Sequence, residues 1–249
     1  QALMQARSVG QFLLDKGCDA HNPLLILAEN SLATASLLLG ALYVGVPVAP
    51  VSPAYVSQKG AHDKLKVCVD TLKPCVAYVG QTDWVGQLVQ VCDLPLQVIT
   101  PEAVPGHTPL DAVLSTEPTN AVALANGKVG PDTVAKYLFT SGSTGAPKGV
   151  INTHRMVCAN QQQLRQIFPF VLERPPILVD WLPWHHTFGG VFFGDVQWRN
   201  PAYRSGQAGR VIVRANHYQF ARDFSHHPFQ CAVGVSSVGC AYARRFRAA

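Results

Sequence analysis

An uncharged apolar stretch constrains the fold of this 249-residue chain more than any other feature. No charged residue occurs within 30–58, and residues 31–46 are almost entirely apolar. A membrane-spanning helix needs about 20 such residues, whereas Gly45 and the prolines after it interrupt this run too early. The sequence therefore predicts a buried helix that Ser31 caps and Gly45 ends, followed by a short strand at 46–49.

Other short apolar runs alternate with helical segments around this helix. Strands are predicted at 23–28, 75–80 and 96–100, and helices at about 62–72 and 83–92. Strands that alternate with helices of about ten residues favour an α/β domain with a largely parallel sheet. The segment 101–118 is rich in Pro and Thr, so it is predicted to be a loop with one short helix.

A second unit of strand, loop, strand and helix comes later in the chain. Val134–Thr140 is predicted as its first strand and 149–152 as its second. Thr153 is a candidate N-cap for a helix that runs to about Phe168. The apolar run 175–183 is predicted as another buried strand that ends in a loop.

The connection between the first two strands of this unit, Thr140–Lys148, concentrates glycine and hydroxyl side chains beside one cation. Glycine lets backbone N–H groups approach an anion closely, and hydroxyl groups add further donors. Lys148 adds a positive charge that can pair with phosphate. The composition is typical of a phosphate-binding loop. The alternative is a solvated hairpin between two strands.

This loop is not a Walker A loop, which reads Gly-x-x-x-x-Gly-Lys-Ser/Thr and opens into a helix. Here Pro147 precedes Lys148, and Gly149 stands where Ser or Thr would hold magnesium. The residues that follow are predicted to form a strand. The sequence therefore excludes the Walker A class of nucleotide site.

The segment YLFTSGSTGAPKGV instead resembles the signature loop of the adenylate-forming superfamily, which includes acyl-CoA synthetases, luciferases and peptide-synthetase adenylation domains. The segment WLPWHHTFGG resembles that superfamily's next motif, Pro-x-x-His-x-x-Gly, through Pro183, His186 and Gly189. The early segment PLLILAENSLATASLLLGALYVGVPVAPVSPAY is also similar, so the resemblance covers about residues 1–190. GVINTHRMVCANQQQ and ILVDWLPWHHTFGG are most similar to feruloyl-CoA synthetase-like members.

The resemblance implies an α/β fold, namely a partial N-terminal lobe of the adenylate-forming ligase fold. This lobe would have parallel sheets flanked by helices and would be followed by an irregular tail. Residues 1–190 would be an incomplete AMP-binding (acyl-CoA synthetase) domain, and residues 191–249 a basic tail. The implied reaction uses ATP, Mg²⁺ and CoA. A carboxylate forms an acyl-adenylate with release of pyrophosphate, and the thiol of CoA then displaces AMP.

The resemblance also implies roles for individual residues. The predicted phosphate-binding set is Thr140, Ser141, Gly142, Ser143, Thr144, Gly145 and Lys148, and the predicted acid-binding set is Trp184, His186 and Gly189. His186 and Lys148 are the catalytic candidates, and no residue is predicted to ligate a metal. His185 adjoins His186, but the motif alignment favours His186. Trp181, Trp184 and Phe188 would suit a flat aromatic acid by stacking, or an ordinary core equally well.

The composition changes abruptly after residue 190. All eight cations beyond it are Arg, against two Asp, whereas Lys outnumbers Arg before it. One interpretation is a basic segment, with a possible strand at 209–215, whose Arg and aromatic residues bind nucleic acid. The favoured interpretation is out-of-frame translation of a GC-rich gene, which translation of the coding DNA in its other frames would test. Four further residues match no standard zinc spacing: His226, His227, Cys231 and Cys240.

Members of the superfamily continue past the histidine motif with a magnesium-binding Glu, a ribose-binding Asp and a small domain that carries a catalytic Lys. None of these is recognised after Gly190. The favoured hypothesis is therefore an ATP-dependent acyl-CoA ligase for a hydroxycinnamate-like acid, present as an inactive fragment. The alternatives are a non-catalytic nucleotide-binding remnant and a nucleic-acid-interacting protein. A partial sheet would leave apolar faces uncovered, so low solubility or partial order is predicted.

The cysteine pattern bears on the setting of the protein. Seven Cys, an odd number without a Cys-x-x-Cys pair, and no recognisable signal peptide favour a reduced, cytoplasmic setting. The chain begins at Gln1 inside what reads as an amphipathic helix, which suggests an N-terminal truncation. The expected partner is a small-molecule carboxylic acid. No membrane partner is expected, and nucleic acid is disfavoured.

Overall fold

The computed structural model describes residues 2–58, 60–140, 145–167, 178–180, 182–187, 189–190 and 211–213. The helices in this part of the chain are α1 (Ala2–Asp15), α2 (Leu32–Val44), α3 (Ala54–Ser57), α4 (His62–Leu72), α5 (Val85–Val91), α6 (Leu110–Leu114), α7 (Asn120–Lys128) and α8 (His154–Ile167). The strands are β1 (Leu24–Leu27), β2 (Val48–Pro50), β3 (Val76–Val79), β4 (Gln97–Thr100), β5 (Thr108–Pro109), β6 (Val134–Thr140), β7 (Lys148–Thr153), β8 (Leu178–Asp180) and β9 (Val211–Val213).

Seven of these strands form one sheet in the order β5-β4-β3-β1-β2-β6-β7. Every neighbouring pair is parallel except β6 and β7, which are antiparallel. The predicted α/β fold is therefore confirmed, with one antiparallel hairpin at the end of a parallel sheet. Strands β8 and β9 form a separate parallel pair.

Both faces of the sheet are covered by helices. Leu24 and Ile26 of β1 face a core with residues from α1, α2, α6 and α7. Leu25 and Leu27 face a second core with residues from α3, α4 and α5. All four side chains are fully buried. A strand buried on both faces reads as a continuous apolar run, which is the pattern that the sequence shows here.

The uncharged stretch folds as predicted. The hydroxyl group of Ser31 accepts a hydrogen bond from the backbone N–H of Thr34 at the start of α2. Gly45 ends the helix with a φ of 78°, a left-handed conformation that glycine adopts without strain. Nine of the 13 residues of α2 are buried. Of the helices described, none combines the length and the apolar character needed to cross a membrane.

Two parts of the fold between residues 101 and 128 differ from the sequence-based expectation. The segment 101–118 contains the expected short helix, α6, but also the two-residue strand β5. Helix α7, capped by the side chain of Thr119, was not predicted. Beyond residue 190, β9 lies within the strand considered at 209–215. The domain boundary at residue 190 stays a prediction.

Several predicted features lie outside the described residues. They are Ser141, Gly142, Ser143 and Thr144 of the glycine-rich loop, Trp181 and Phe188 of the proposed aromatic set, and the possible metal residues His226, His227, Cys231 and Cys240.

Candidate functional site

The glycine-rich loop is carried by the antiparallel pair β6 and β7. Thr140, the last residue of β6, lies opposite Lys148, the first residue of β7, and both are exposed. The loop therefore does join neighbouring antiparallel strands, as the hairpin alternative states. That geometry is also compatible with phosphate binding, because the stem holds the hydroxyl-bearing residue and the cation side by side in solvent.

The described end of the loop is open. Gly145 has a φ of 80°, and a Cβ atom built on it would meet none of the described residues within 4 Å. Glycine is therefore favoured here by the left-handed backbone conformation and not by close packing of neighbouring atoms. Pro147 is buried, while Lys148 after it is exposed. Space around the loop and an exposed ammonium group are what an incoming anion needs.

The loop leaves the sheet at the edge where α/β proteins bind their ligands. It follows the carboxyl end of β6, and β6 is parallel to β2, which is parallel to β1. The carboxyl ends of these three strands therefore lie at the same edge. In open α/β sheets, ligands bind in the crevice outside this edge.

The residues after 181 form a second loop, which we call the histidine loop and which comprises 182–187 and 189–190 among the described residues. The side chain of Asn30 fixes the start of this loop. Its amide nitrogen donates to the carbonyl of Leu182 at 2.7 Å, and its amide oxygen accepts from the backbone N–H of Trp184 at 2.9 Å. Asn30 is itself buried and stands three residues after β1. The histidine loop is thus attached to the carboxyl end of the central strand.

A buried lysine fixes the other end of the histidine loop. Lys136 lies within β6, and its ammonium group donates to the carbonyl of Gly190 at 2.8 Å. One strand, β2, lies between the two strands to which the loop is attached, β1 and β6. Strands two positions apart are about 10 Å apart. The histidine loop therefore spans from the central strand to the strand that carries the glycine-rich loop.

Two glycines let the histidine loop turn back on itself. A Cβ atom on Gly189 would lie 2.4 Å from the carbonyl oxygen of Pro183, and one on Gly190 would lie 2.5 Å from that of Trp184. Contacts this short between a side chain and the backbone cannot be relieved without moving the loop. The same turn has backbone bonds from His186 to Pro183 and from Gly190 to His186, at 3.0 and 2.7 Å.

The two histidines of the loop differ in environment. His186, the predicted catalytic residue, is exposed, whereas His185 is half-buried. Burial, together with the neighbouring His186, lowers the pKa of His185 to about 4, so its ring is neutral at neutral pH. This difference supports the assignment of the ligand-facing role to His186, although that role stays a prediction.

Trp184 lies in the hydrophobic core. Its side chain is 3% exposed and belongs to the cluster shared with α1 and α2. The sequence left a core role and a stacking role equally open for this residue. The structure places the ring among core residues, where it anchors the loop, and its role in binding the acid stays a prediction.

Asn30 and Lys136 are the site residues that the sequence did not reveal. The sequence around each of them contains one unusual feature. Asn30 is a polar residue directly beyond a buried strand, and Lys136 is a charged residue inside an apolar strand. A buried charge usually has a specific partner. Their partners lie more than 50 residues away in sequence, so the contacts could not be inferred locally.

Comparison with known proteins agrees with this architecture. The AMP-binding enzyme family matches residues 1–238. Luciferin 4-monooxygenase from Photinus pyralis is 26% identical over 194 residues, which cover 70% of this chain and 32% of that protein. 4-coumarate–CoA ligase-like 9 from Arabidopsis thaliana is 26% identical over 196 residues, which cover 76% of this chain and 32% of that protein.

Among solved structures, ATP-bound MatB from Rhodopseudomonas palustris shares the fold, with a TM-score of 0.67 and 20% identity. The similarity covers 86% of this chain and 39% of MatB. This chain thus spans about a third of the length of these relatives.

Proposed function

Because this chain belongs to the AMP-binding enzyme family, we propose that it forms the ATP-binding part of an acyl-CoA ligase for an aromatic, hydroxycinnamate-like carboxylic acid. One observation carries the proposal. The histidine loop is attached both to β1, through Asn30, and to β6, through Lys136. The same β6 ends in the glycine-rich loop. The loop that carries His186 is thereby attached to the same sheet as Thr140 and Lys148 of the candidate phosphate-binding set.

The reaction would proceed in two steps. An oxygen of the substrate carboxylate attacks the α-phosphorus of ATP. The bond between this phosphorus and the oxygen that bridges to the β-phosphate breaks, and pyrophosphate leaves. The sulfur of CoA then attacks the acyl carbon, and AMP leaves with the electrons of the acyl–oxygen bond. The protein's main contribution to such a step is to position the reactants and to balance charge.

Each loop has a distinct role in the first step. Lys148 and the glycine-rich loop would bind the β- and γ-phosphates and offset their charge as pyrophosphate forms. His186 would orient the substrate carboxylate for attack. Mg²⁺, when bound with the nucleotide, would supply a Lewis acid. Among the described residues, no group of three His, Cys, Asp or Glu side chains could hold a metal.

The aromatic substrate and the transfer to CoA are the finer parts of the proposal. They rest on the residues of the histidine motif and on the similarity to a 4-coumarate–CoA ligase-like protein. A luciferase is equally similar, so the choice needs a direct test. Stable acyl-adenylate mimics, such as feruloyl- and hexanoyl-sulfamoyl adenosine, can be compared by calorimetry. Tighter binding of the feruloyl compound supports the aromatic acid, and equal or weaker binding contradicts it.

Binding of ATP by the 249-residue chain tests the core of the proposal. We expect Lys148→Ala to weaken binding of Mg-ATP about tenfold or more, because a charge-assisted contact contributes about 1.5–3 kcal/mol. Lys64→Ala removes an equally exposed lysine from α4 and is the matched control, with no effect expected. Equal loss in both variants, or no ATP binding by the folded chain, would contradict the proposal.

We further propose that the 249-residue chain does not complete the reaction by itself. It spans about a third of its relatives, and no counterpart of the superfamily's later motifs is recognised after Gly190. ATP–pyrophosphate exchange with ferulate should therefore stay near background. Robust exchange would overturn this part of the proposal while strengthening the assignment as a ligase.

A further inference from the structure

Two cysteines from distant parts of the sequence meet at the amino ends of the parallel strands, opposite the end at which the glycine-rich loop lies. The sulfur atoms of Cys18 and Cys75 lie 2.8 Å apart. Cys18 follows α1, and Cys75 directly precedes β3. This position is at the amino ends of the parallel strands, whereas the glycine-rich loop leaves from a carboxyl end. The pair is therefore separate from the candidate ATP site.

Both sulfur atoms are held in place by their backbones. The N–H of Cys18 donates to the carbonyl of Leu13 at 2.9 Å in the turn that ends α1. The carbonyl of Cys75 accepts from the N–H of Gln97 at 2.9 Å, at the edge of β4. A disulfide has a sulfur–sulfur distance of about 2.05 Å, so a movement of less than about 1 Å would join the two atoms.

The two thiols differ in burial. Their shared hydrogen bond, in which either sulfur can donate, lowers the pKa of Cys75, whereas the same contact and burial raise that of Cys18. Cys75 is half-buried and Cys18 is buried. This is the arrangement of a thiol that reacts first and a second thiol that resolves the product. Cys68 offers a contrast within the chain, since burial raises its pKa to about 12.

We propose that Cys18 and Cys75 are a redox modification site, at which hydrogen peroxide converts the two thiols into a reversible disulfide. The thiolate of Cys75 attacks one peroxide oxygen, the O–O bond breaks, and a sulfenic acid and hydroxide form. The hydroxide takes up the proton that the Cys75 thiol released, which gives the first water. The sulfur of Cys18 then attacks the sulfenic sulfur, the S–O bond breaks, and a second water leaves. Two thiols lose two electrons in total, and one peroxide is reduced to two waters.

The bond would tie the end of α1 to the start of β3, two points that are 57 residues apart in sequence. Closing a loop of this length restricts the unfolded chain strongly. For a chain of this size we expect the oxidised form to melt roughly 10 °C above the reduced form. A thiol reductant should return the melting temperature to its starting value.

The test uses the full chain, first reduced and then treated with a few equivalents of hydrogen peroxide. The intact mass should fall by about 2 Da, the mass of the two hydrogens lost. Chymotryptic digestion should yield one cross-linked pair of peptides that contain Cys18 and Cys75. Cys92→Ser is the matched control and should keep the cross-link, because Cys92 lies at the end of α5 and its sulfur contacts the Leu94 carbonyl instead.

Cys75→Ser and Cys18→Ser should each abolish the cross-link and the rise in melting temperature. If either variant does not fold, the peptide map of the wild-type chain still decides the question. Three results would overturn the proposal: oxidation of Cys75 to the sulfinic acid without a cross-link, a cross-link between other cysteines, or a cross-linked chain that melts no higher than the reduced one. None of these results depends on the proposed ligase function.

Discussion

The glycine-rich loop and the histidine loop belong to the same candidate site but are held in different ways. Thr140 and Lys148, at the base of the glycine-rich loop, are exposed and lie opposite each other across β6 and β7. The histidine loop is tied to the sheet by Asn30 and Lys136, and it buries Trp184 in the core.

The difference matches what the two loops are proposed to do. A loop that receives a flexible, highly charged triphosphate needs open space and exposed donors. A loop that orients one carboxylate needs a backbone fixed to within a fraction of an ångström. Substitutions in the histidine loop should therefore cost folding stability, and substitutions in the glycine-rich loop should cost binding alone.

Asn30→Ala should have the largest effect on stability. It removes both hydrogen bonds to the histidine loop and leaves the Leu182 carbonyl and the Trp184 N–H without that partner. The loss of a hydrogen-bond partner inside a protein costs about 1–3 kcal/mol for each bond, so we expect the free energy of unfolding to fall by about 2–4 kcal/mol. Urea titration followed by tryptophan fluorescence measures this change.

The matched control for Asn30 is Asn120→Ala, on the exposed first turn of α7. We expect it to change the free energy of unfolding by less than about 0.5 kcal/mol. If the two variants lose stability equally, Asn30 does not clamp the histidine loop in solution.

Gly189→Ala should have the next largest effect. The added methyl group would meet the Pro183 carbonyl at 2.4 Å, the same carbonyl that accepts the bond from His186. Overpacking of this kind costs about 1–3 kcal/mol. Gly149→Ala is the comparison in the glycine-rich region, since its added methyl group would make only an ordinary contact with Phe139 at 3.5 Å.

Urea titration of both glycine variants gives the result. A lower free energy of unfolding in Gly189→Ala, together with an unchanged one in Gly149→Ala, would support the contrast between the loops. The reverse order would break it.

The pH dependence of the free energy of unfolding should show that His185 is partly buried. The pKa of His185 is lowered to about 4 in the folded chain, against about 6.5 for an unfolded histidine. Below about pH 6.5 the unfolded chain therefore binds the proton more readily, and stability falls as the pH approaches 4. After allowance for partial exposure we expect a loss of about 1–2 kcal/mol.

This loss should shrink in His185→Gln and persist in His107→Gln, a half-buried histidine outside the loop. Urea titrations at pH 7 and pH 5 provide the comparison. An identical pH dependence in all three chains would show that His185 is as accessible as an ordinary histidine.

Lys148→Ala should have the smallest effect on stability. The side chain is exposed at the start of an edge strand, so we expect a change below about 0.5 kcal/mol in the free energy of unfolding. Combined with the weaker ATP binding proposed above, this would separate the two kinds of loop. A large loss of stability would mean that Lys148 is a structural residue.

Much of the local structure could be predicted from the sequence. The bounds of α4 and β6 agree with the residues expected, and Ser31 and Gly45 delimit α2 as expected. Helix α7 was missed, because the run 120–128 has little hydrophobic periodicity and only Val122 is buried. Strand β5 was missed because two residues are too short for any repeating pattern to show.

Local sequence patterns were enough to predict most of the helices and strands and both motifs, since helix caps, apolar runs and glycine-rich loops are properties of neighbouring residues. Only the tertiary structure decided that Asn30 and Lys136 hold the histidine loop, that His185 is half-buried while His186 is exposed, and that Cys18 meets Cys75. These contacts join residues tens of positions apart. They arise from the order of strands in the sheet, which depends on long-range packing that no local pattern records.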